Sequence, residues 1–460
     1  MQKFYILFSI VTKQQKLILV VAILASFVAF LDGSVINVAL PAISKELGGG
    51  LTTQQWVVDA YLITLGALML IAGSFSDLFG RKRILVIGLI GFAVTSILCA
   101  IAPNSLFLIV SRALQGVAGA LLVPSSLALI ISSFSGSLQA KAIGYWTAWT
   151  GIAFVIGPLL GGFFVDALSW RLIFAINIVP ITITIWLIWY IKKPDIYQKN
   201  ARIDYIGAIL CVIGLGGPVY ALIEQSQYGI LSPLIYLPFI MGILSFMAFI
   251  WYEKHTSQPM LDLDLFKIRN FAIGNIATVA IYAGLSIATF LIAVFVQQTG
   301  GYSAFAAGMA LLPVTIIMFL LSSHFGALAG KYGPRFFMAA GPMVAAVGFL
   351  LMLTVNDAVT YWTQLFPGIV IFGIGLAMTV APLTSAILGS IDSRKAGVGS
   401  AVNNAISRIA GLVAIAAIGV IVGPELSVSG FHRGVVSIAL LLVIGGVISA
   451  IGITNSKQSA

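Results

Sequence analysis

The sequence predicts an all-α integral membrane protein, and three observations carry that prediction. Of 460 residues, 60% are hydrophobic and only 8% are charged, whereas a soluble domain carries roughly 25% charged residues on its surface. Mean hydropathy is +1.09. The apolar residues also run together in windows of about 20, the length of helix that crosses a bilayer, instead of alternating as in the strands of a membrane barrel. Helices satisfy their own backbone groups where water is absent, so a helical bundle is the consistent reading.

Fourteen windows follow one another, at 17–41, 55–74, 84–102, 105–133, 142–166, 172–191, 204–223, 233–252, 271–297, 304–329, 336–355, 361–389, 397–423 and 433–453. The first is too long for a signal peptide and lacks a cleavage pattern, so it is expected to remain. An even number of spans places both termini on one side. Lys3, Lys13, Lys16, Arg81, Lys82, Arg83, Lys141, Lys192, Lys193, Lys199, Arg202, Lys254, Lys267, Arg269, Lys331, Arg335, Arg394, Lys395 and Lys457 fall on that side. Lys45, Arg171 and Arg433 fall on the other, and Arg112 and Arg408 lie inside spans. The positive-inside rule therefore expects cytoplasmic termini. It also accounts for the net charge of +10 without a nucleic-acid partner.

Enzyme chemistry finds no foothold. Cys99 and Cys211 sit in apolar runs, and His255, His324 and His432 lie in separate segments, which excludes a disulfide framework or a clustered metal site. The Gly330-Lys331 pair is followed by Tyr332, so there is no Walker A loop, and neither a zincin helix nor a Gly-x-Ser-x-Gly elbow is present. No catalytic residue, metal or cofactor is expected.

An internal repeat organises the chain. After span 2 comes Gly73-Ser-Phe-Ser-Asp77-Leu-Phe-Gly80-Arg81-Lys82-Arg83, and after span 10 comes Gly326-Ala-Leu-Ala-Gly330-Lys331-Tyr332-Gly333-Pro334-Arg335. Glycine recurs at the first and eighth positions and a cation at the tenth. A tight hairpin with a left-handed glycine fits both copies. Spans 1–6 (residues 1–191) and 9–14 (271–460) then form two six-helix halves, with spans 7 and 8 inserted between them (192–270). Paired six-span halves are a plan for alternating-access transport.

Several motifs make the resemblance specific: Phe30-Leu31-Asp32-Gly33-Ser34-Val35-Ile36-Asn37-Val38-Ala39-Leu40-Pro41 in span 1, the Gly73–Arg83 loop, Arg112 with Gln115, Gly116 and Gly119 in span 4, and Gly151 through Gly157-Pro158 to Gly161-Gly162 in span 5. Pro259 to Phe266 and Asn403-Asn404 with Arg408 complete the set. With these the chain resembles the major facilitator superfamily, in particular its 14-span drug:proton antiporter group, over about residues 16–453. The resemblance implies a major facilitator fold, export driven by a proton gradient, and conformational roles for Gly73, Asp77, Gly80, Arg81, Gly157, Pro158, Gly161 and Gly162. Two departures are visible: the segment between spans 13 and 14 is short, and span 10 has no acidic residue.

Asp32, Asp59, Arg112 and Arg408 fall well inside spans, where an ionisable group is a functional candidate by default. At 1.5 Å per residue Asp32 and Arg112 lie about 13 and 12 Å from the same membrane face, so they can meet directly or through water. Burial disfavours the Asp32 charge and Arg112 favours it, and both a proton-coupling pair and a permanent structural pair satisfy the pattern. Asp59, about 7 Å deep beside Trp56, is expected either as a second proton carrier or as an interfacial acid. Ser400, Asn404 and Arg408 form one stripe on span 13. Asn37, Gln115, Asn403, Asn404 and Arg408 are expected along a substrate pathway, and Trp146, Trp149 and Phe154 along an apolar wall. Gly157, Gly161 and Gly162 around Pro158 predict a close-packed, kinked face between the halves.

The expected function is proton-coupled export of amphipathic cationic or neutral organic compounds across the cell membrane. The expected unit is a monomer in lipid whose partners are its small-molecule substrate and protons, with room for an adaptor and outer-membrane channel. Dedicated export of one metabolite and proton-coupled uptake are the alternatives.

Overall fold

The computed structural model describes residues 12–192, 195, 203–257, 259–392, 396–423 and 426–455. Lys3, Lys193, Lys199, Arg202, Arg394, Lys395 and Lys457 of the charge pattern lie outside the described residues. No strand occurs among those described. Thirteen helices are long and apolar enough to cross a membrane, and a bent one brings the number to 14. In order these are α1 (Lys13–Leu47), α2 (Gly50–Phe79), α3 (Arg81–Ala100), α4 (Ser105–Ser133), α5 (Lys141–Ala167), α6 (Leu172–Trp189) and α7 (Tyr205–Tyr228). They continue with α8 (Pro233–His255), α9 (Arg269–Gln298), α10 (Ala304–Tyr332), α11 (Pro334–Thr354), α12 (Tyr361–Leu388), α13 (Val398–Val422) and α14 (Val428–Gly452).

Local chemistry explains the boundaries. Thr12 and Gln15 form a reciprocal capping box at the start of α1. α1 does not stop at Pro41 as the apolar window suggested. It runs to Leu47 and ends where Gly48 and Gly49 take φ of 79° and 84°. α2 bends by 57° between Met69 and Ile71. α6 and α10 are interrupted at Ile176–Asn177 and at Leu311, within a turn of Pro180 and Pro313, which cannot donate a helical hydrogen bond.

The two repeat loops are built alike. Gly80 and Gly333 have φ of 98° and 90°, the left-handed turn that a side chain would strain. The tenth-position cation has the same task in each. Lys82 Nζ donates to Ile191 O at 3.1 Å, and Arg335 Nε donates to Ala450 O at 2.8 Å. Asp195 accepts from the Lys82 and Arg83 N–H groups at 3.1 Å each, while Asn455 accepts from the Arg335 N–H at 3.2 Å. Each loop is thus pinned by residues just beyond α6 or at and beyond the end of α14, and each side chain caps the helix that follows.

Separate apolar clusters hold the bundle. One apolar cluster contains only residues of α1–α4, α6 and the residue just beyond α6, toward the end of the bundle where the chain starts. Another joins Val35, Ala39 and Ile43 of α1 to Phe290, Leu291 and Val294 of α9 at the opposite end. α7 and α8 pack on one another, and Leu215 of α7 shares a cluster with Ile63 of α2 and Leu412 of α13.

Candidate functional site

The site grows from one acid on α1. Asp32 is 1% exposed and Arg112 is fully buried. Arg112 Nη1 donates to Asp32 Oδ2 at 2.5 Å. Gln115 Nε2 and Asn177 Nδ2 donate to Asp32 Oδ1 at 3.1 and 3.0 Å. Ser96 Oγ lies within 2.9 Å of Gln115 Nε2 and 3.3 Å of Asn177 Nδ2, so α3, α4 and α6 converge on α1. Arg112 Nε donates to Val57 O of α2 at 2.9 Å, and the guanidinium sits 4.3 Å over the Tyr61 ring. Small residues permit this approach. A Cβ on Gly116 would lie 2.1 Å from Thr64 Oγ1 and 2.3 Å from Tyr61 O. A charge-assisted network of this kind holds a buried carboxylate that would otherwise be too costly.

Asp59 differs from its interfacial expectation. It is fully buried, and among the described residues neither carboxyl oxygen has a hydrogen-bond partner. Its face of α2 is covered. Gln55, one turn before it, donates to Ile415 O and Ala416 O of α13 at 2.9 Å each, and Ile63, one turn after it, packs in the α7–α13 cluster. Trp56 points its indole N–H at Glu224 of α7, 2.7 Å away, rather than toward Asp59.

A second, partly exposed face lies on the other side of α1. Phe30, Gly33 and Asn37 share it at three- and four-residue spacing. Arg408 of α13 stands 5.4 Å over the Phe30 ring, and a Cβ on Gly33 would be 4.0 Å from its Nη1. Among the described residues no hydrogen bond or ion pair reaches the Arg408 guanidinium. Phe154 of α5 meets Phe30 at 5.7 Å, and Trp149 and Asn404 are exposed nearby along the same helices. Trp146 donates to Ser26 of α1 at 3.1 Å. Asn404 bonds back to Ser400 O at 3.0 Å, whereas Asn403 turns to α9 and donates to Asn275 Oδ1 and Thr278 Oγ1 at 3.0 Å. Asn403, expected along the substrate pathway, therefore clasps α13 to α9 instead. Gln115 likewise lies inside the ion-pair network, not on the open face.

The span-5 glycines look two ways. Cβ atoms on Gly157 and Gly161 would lie 2.0 Å from Ser34 Oγ and 2.6 Å from Val35 Cγ2 of α1. One on Gly162 would lie 2.4 Å from Phe305 Cα of α10, and Gly308 meets Pro158 O in the same seam. Asp166 then caps α10, accepting from Ala304 N at 3.0 Å and Phe305 N at 2.8 Å. Asp77 binds Arg81 at 3.0 Å, and Arg81 Nη1 reaches Ala128 O of α4 at 3.1 Å. Gly73 has open space around it. The N–H groups at the start of α3 are capped by Asp195.

Sequence reasoning missed Asn177, Ser96, Gln55, Asp166 and Asp195. Asn177 carried the clearest signal: a lone amide in the apolar run from Leu172 to Trp189. A scan restricted to ionisable residues passes over it.

Comparison with known proteins supplies the family. The model of the Major Facilitator Superfamily matches residues 22–415. The methylenomycin A resistance protein of Bacillus subtilis is 32% identical over 88% of this chain and 87% of its own. The multidrug resistance protein Stp of Mycobacterium tuberculosis is 31% identical over 90% of this chain and 77% of its own. Among solved structures, a peptide transporter of the POT family bound to sulfate superimposes with a TM-score of 0.70, at 14% identity, over 95% of this chain and 93% of its own. That last likeness concerns the fold alone. The chain belongs to the Major Facilitator Superfamily and is a multi-pass membrane protein.

Proposed function

We propose that this chain uses the superfamily's plan for proton-coupled antiport, exporting amphipathic organic compounds from the cytoplasm or inner leaflet across the cell membrane. It does so as a 14-span monomer with cytoplasmic termini, and no cofactor takes part. Spans α1–α6 and α9–α14 are the two halves, joined through the inserted pair α7–α8. The observation that carries this reading is the buried Asp32–Arg112 pair, one residue from the open face of α1 that Gly33 presents to Arg408.

In the described conformation the halves meet at the ends remote from the termini, through Gln55 on α13 and Asp166 on α10. Trp149 and Asn404 stay exposed toward the terminal side. Substrate enters from that side against Phe30, Phe154 and Arg408. A proton reaching Asp32 from the other side removes its charge, loosens Arg112 and its hold on the α2 backbone, and couples loading of α1 to movement of the half. Asp59, buried without donors, is the second carrier. One pH unit supplies about 1.4 kcal/mol per proton and 100 mV adds about 2.3 kcal/mol per charge, so exchange of two protons for one monocation uses both. An adaptor and outer-membrane channel are compatible with this cycle and are not required by it.

A narrower reading has one observation in its favour: a relative at 32% identity bears the name of resistance to a single antibiotic. Everted vesicles separate these readings from inactivity. With an acid-loaded lumen, addition of substrates should alkalinise the lumen. Response to many unrelated amphiphiles supports multidrug export, response to one supports the dedicated exporter, and no response to any of a broad panel contradicts antiport.

A further inference from the structure

Outside the site, α2, α3, α4 and α7 enclose a cavity of about 680 Å³, within the range of small-molecule sites. Aliphatic and aromatic side chains make up most of its wall, and among the described residues Arg83 is the one charged group lining it. The cavity follows α7 from Tyr205 to Ile213, about 12 Å, and the path of α2 from Leu68 to Phe79, up to about 17 Å. Half of a ~30 Å hydrocarbon core is about the same length. It therefore reaches across one leaflet and no further. It opens to the bilayer, because Ile209 and Phe79 on its wall are 59% and 41% exposed.

Charge is placed at one end only. Three cations follow Gly80, and two are engaged in holding the loop: Arg81 on Asp77 and Ala128 O, Lys82 on Ile191 O. Arg83 donates its backbone N–H to Asp195, but its guanidinium makes no hydrogen bond or ion pair with a described residue. It stands exposed at the mouth of the cavity beside Tyr205. An apolar slot one leaflet deep, ending at the loop surface in a cation that no described residue engages, complements an acyl chain joined to an anionic head group.

We propose that this groove binds one anionic phospholipid of the leaflet at the repeat loop, its acyl chain between α2 and α7 and its phosphate on Arg83. Guanidinium suits a phosphate because its N–H groups match the oxygens in pairs. Occupancy ties the inserted helix α7 to the α2–α4 face. That the leaflet is the cytoplasmic one rests on the topology proposed above. The binding itself does not, so it can fail while antiport stands, and the reverse.

The test uses the full chain in nanodiscs of equal phosphatidylglycerol and phosphatidylcholine, released for native mass spectrometry. The expected result is retained phosphatidylglycerol in preference to phosphatidylcholine. Arg83→Gln should reduce that preference about fivefold, and Arg83→Lys should keep most of it. Ile213→Trp, which fills the deep end of the slot, should reduce retention of the lipid while leaving Arg83 in place. Equal retention of both lipids, an unchanged preference in Arg83→Gln, or displacement of the adduct by inorganic phosphate alone would each overturn the proposal. If Arg83→Gln does not give monodisperse protein, the Arg83→Lys and Ile213→Trp pair decides between the same outcomes.

Discussion

Asp32 and Asp59 are both carboxyls within membrane-spanning helices, and both are removed from solvent, at 1% and 0% exposed. Their surroundings are opposite. Asp32 accepts from Arg112, Gln115 and Asn177, whereas Asp59 accepts from none of the described residues. Burial does not distinguish the two sites, but the supply of donors does. Around Asp32, four helices of the first six converge with polar side chains or a backbone carbonyl. One turn before Asp59, Gln55 occupies two carbonyls of α13, and one turn after it Ile63 packs in an apolar cluster. An unpaired carboxylate there would cost several kcal/mol. A neutral acid costs about 1–3 kcal/mol for its missing hydrogen bonds. In the proposed cycle a proton at Asp59 goes with the joined contact of α2 and α13, and a charge there favours parting it. At Asp32 the charge is held by side chains of α4 and α6.

Stability should break the comparison most sharply. Arg112→Met leaves the Asp32 charge without its cation, and loss of one partner of a buried pair costs about 3–5 kcal/mol. Asp32→Asn/Arg112→Met together should recover much of that. Thermal unfolding in a lipid-like detergent checks this, and a double variant as unstable as the single one contradicts the pairing. Asp59→Leu should go the other way and stabilise by about 1–3 kcal/mol, since it removes unsatisfied oxygens from an apolar neighbourhood. It should also slow turnover by favouring the joined seam, and destabilisation would show that Asp59 has partners in the resting state.

A Gly157→Leu change tests the packing that surrounds Asp32. Its added side chain runs into Ser34 and the α1 backbone, and overpacking costs about 1–3 kcal/mol. The α5–α1 contact should open, and transport should fall even where expression is normal. Parental transport by a well-expressed variant would make Gly157 ordinary packing. The smallest effect is expected from Gln55→Ala, which removes hydrogen bonds worth about 1 kcal/mol from the seam. Cross-linking of cysteines placed at the remote ends of α2 and α13 should fall modestly, and unchanged cross-linking would leave the Gln55 contact without a role in closure.

Some of this was legible because it depends on local pattern. Spans follow from apolar length, and the contact of Asp32 with Arg112 follows from matching depths on α1 and α4. Lys82 and Arg335 were readable as equivalents, but not their acceptors, because Ile191 O and Ala450 O belong to distant helix ends. The burial of Asp59 could not be read either. At 7 Å from a span end an acid can reach water, and what prevents it is the tertiary cover of α13 and α7. Asn403 and Asn404 show the same limit: they are neighbours in sequence, and a rotation of 100° about α13 sends one to a clasp with α9 and leaves the other exposed.

The central claim is that the proton bound at Asp32 drives export. The most direct measurement is uphill efflux from proteoliposomes carrying Asp32→Asn under an imposed pH gradient with the membrane potential clamped, beside downhill equilibration of the same labelled substrate. The account predicts that uphill, pH-driven efflux is lost while downhill equilibration through the folded variant continues. Uphill efflux with the parental pH dependence would contradict it.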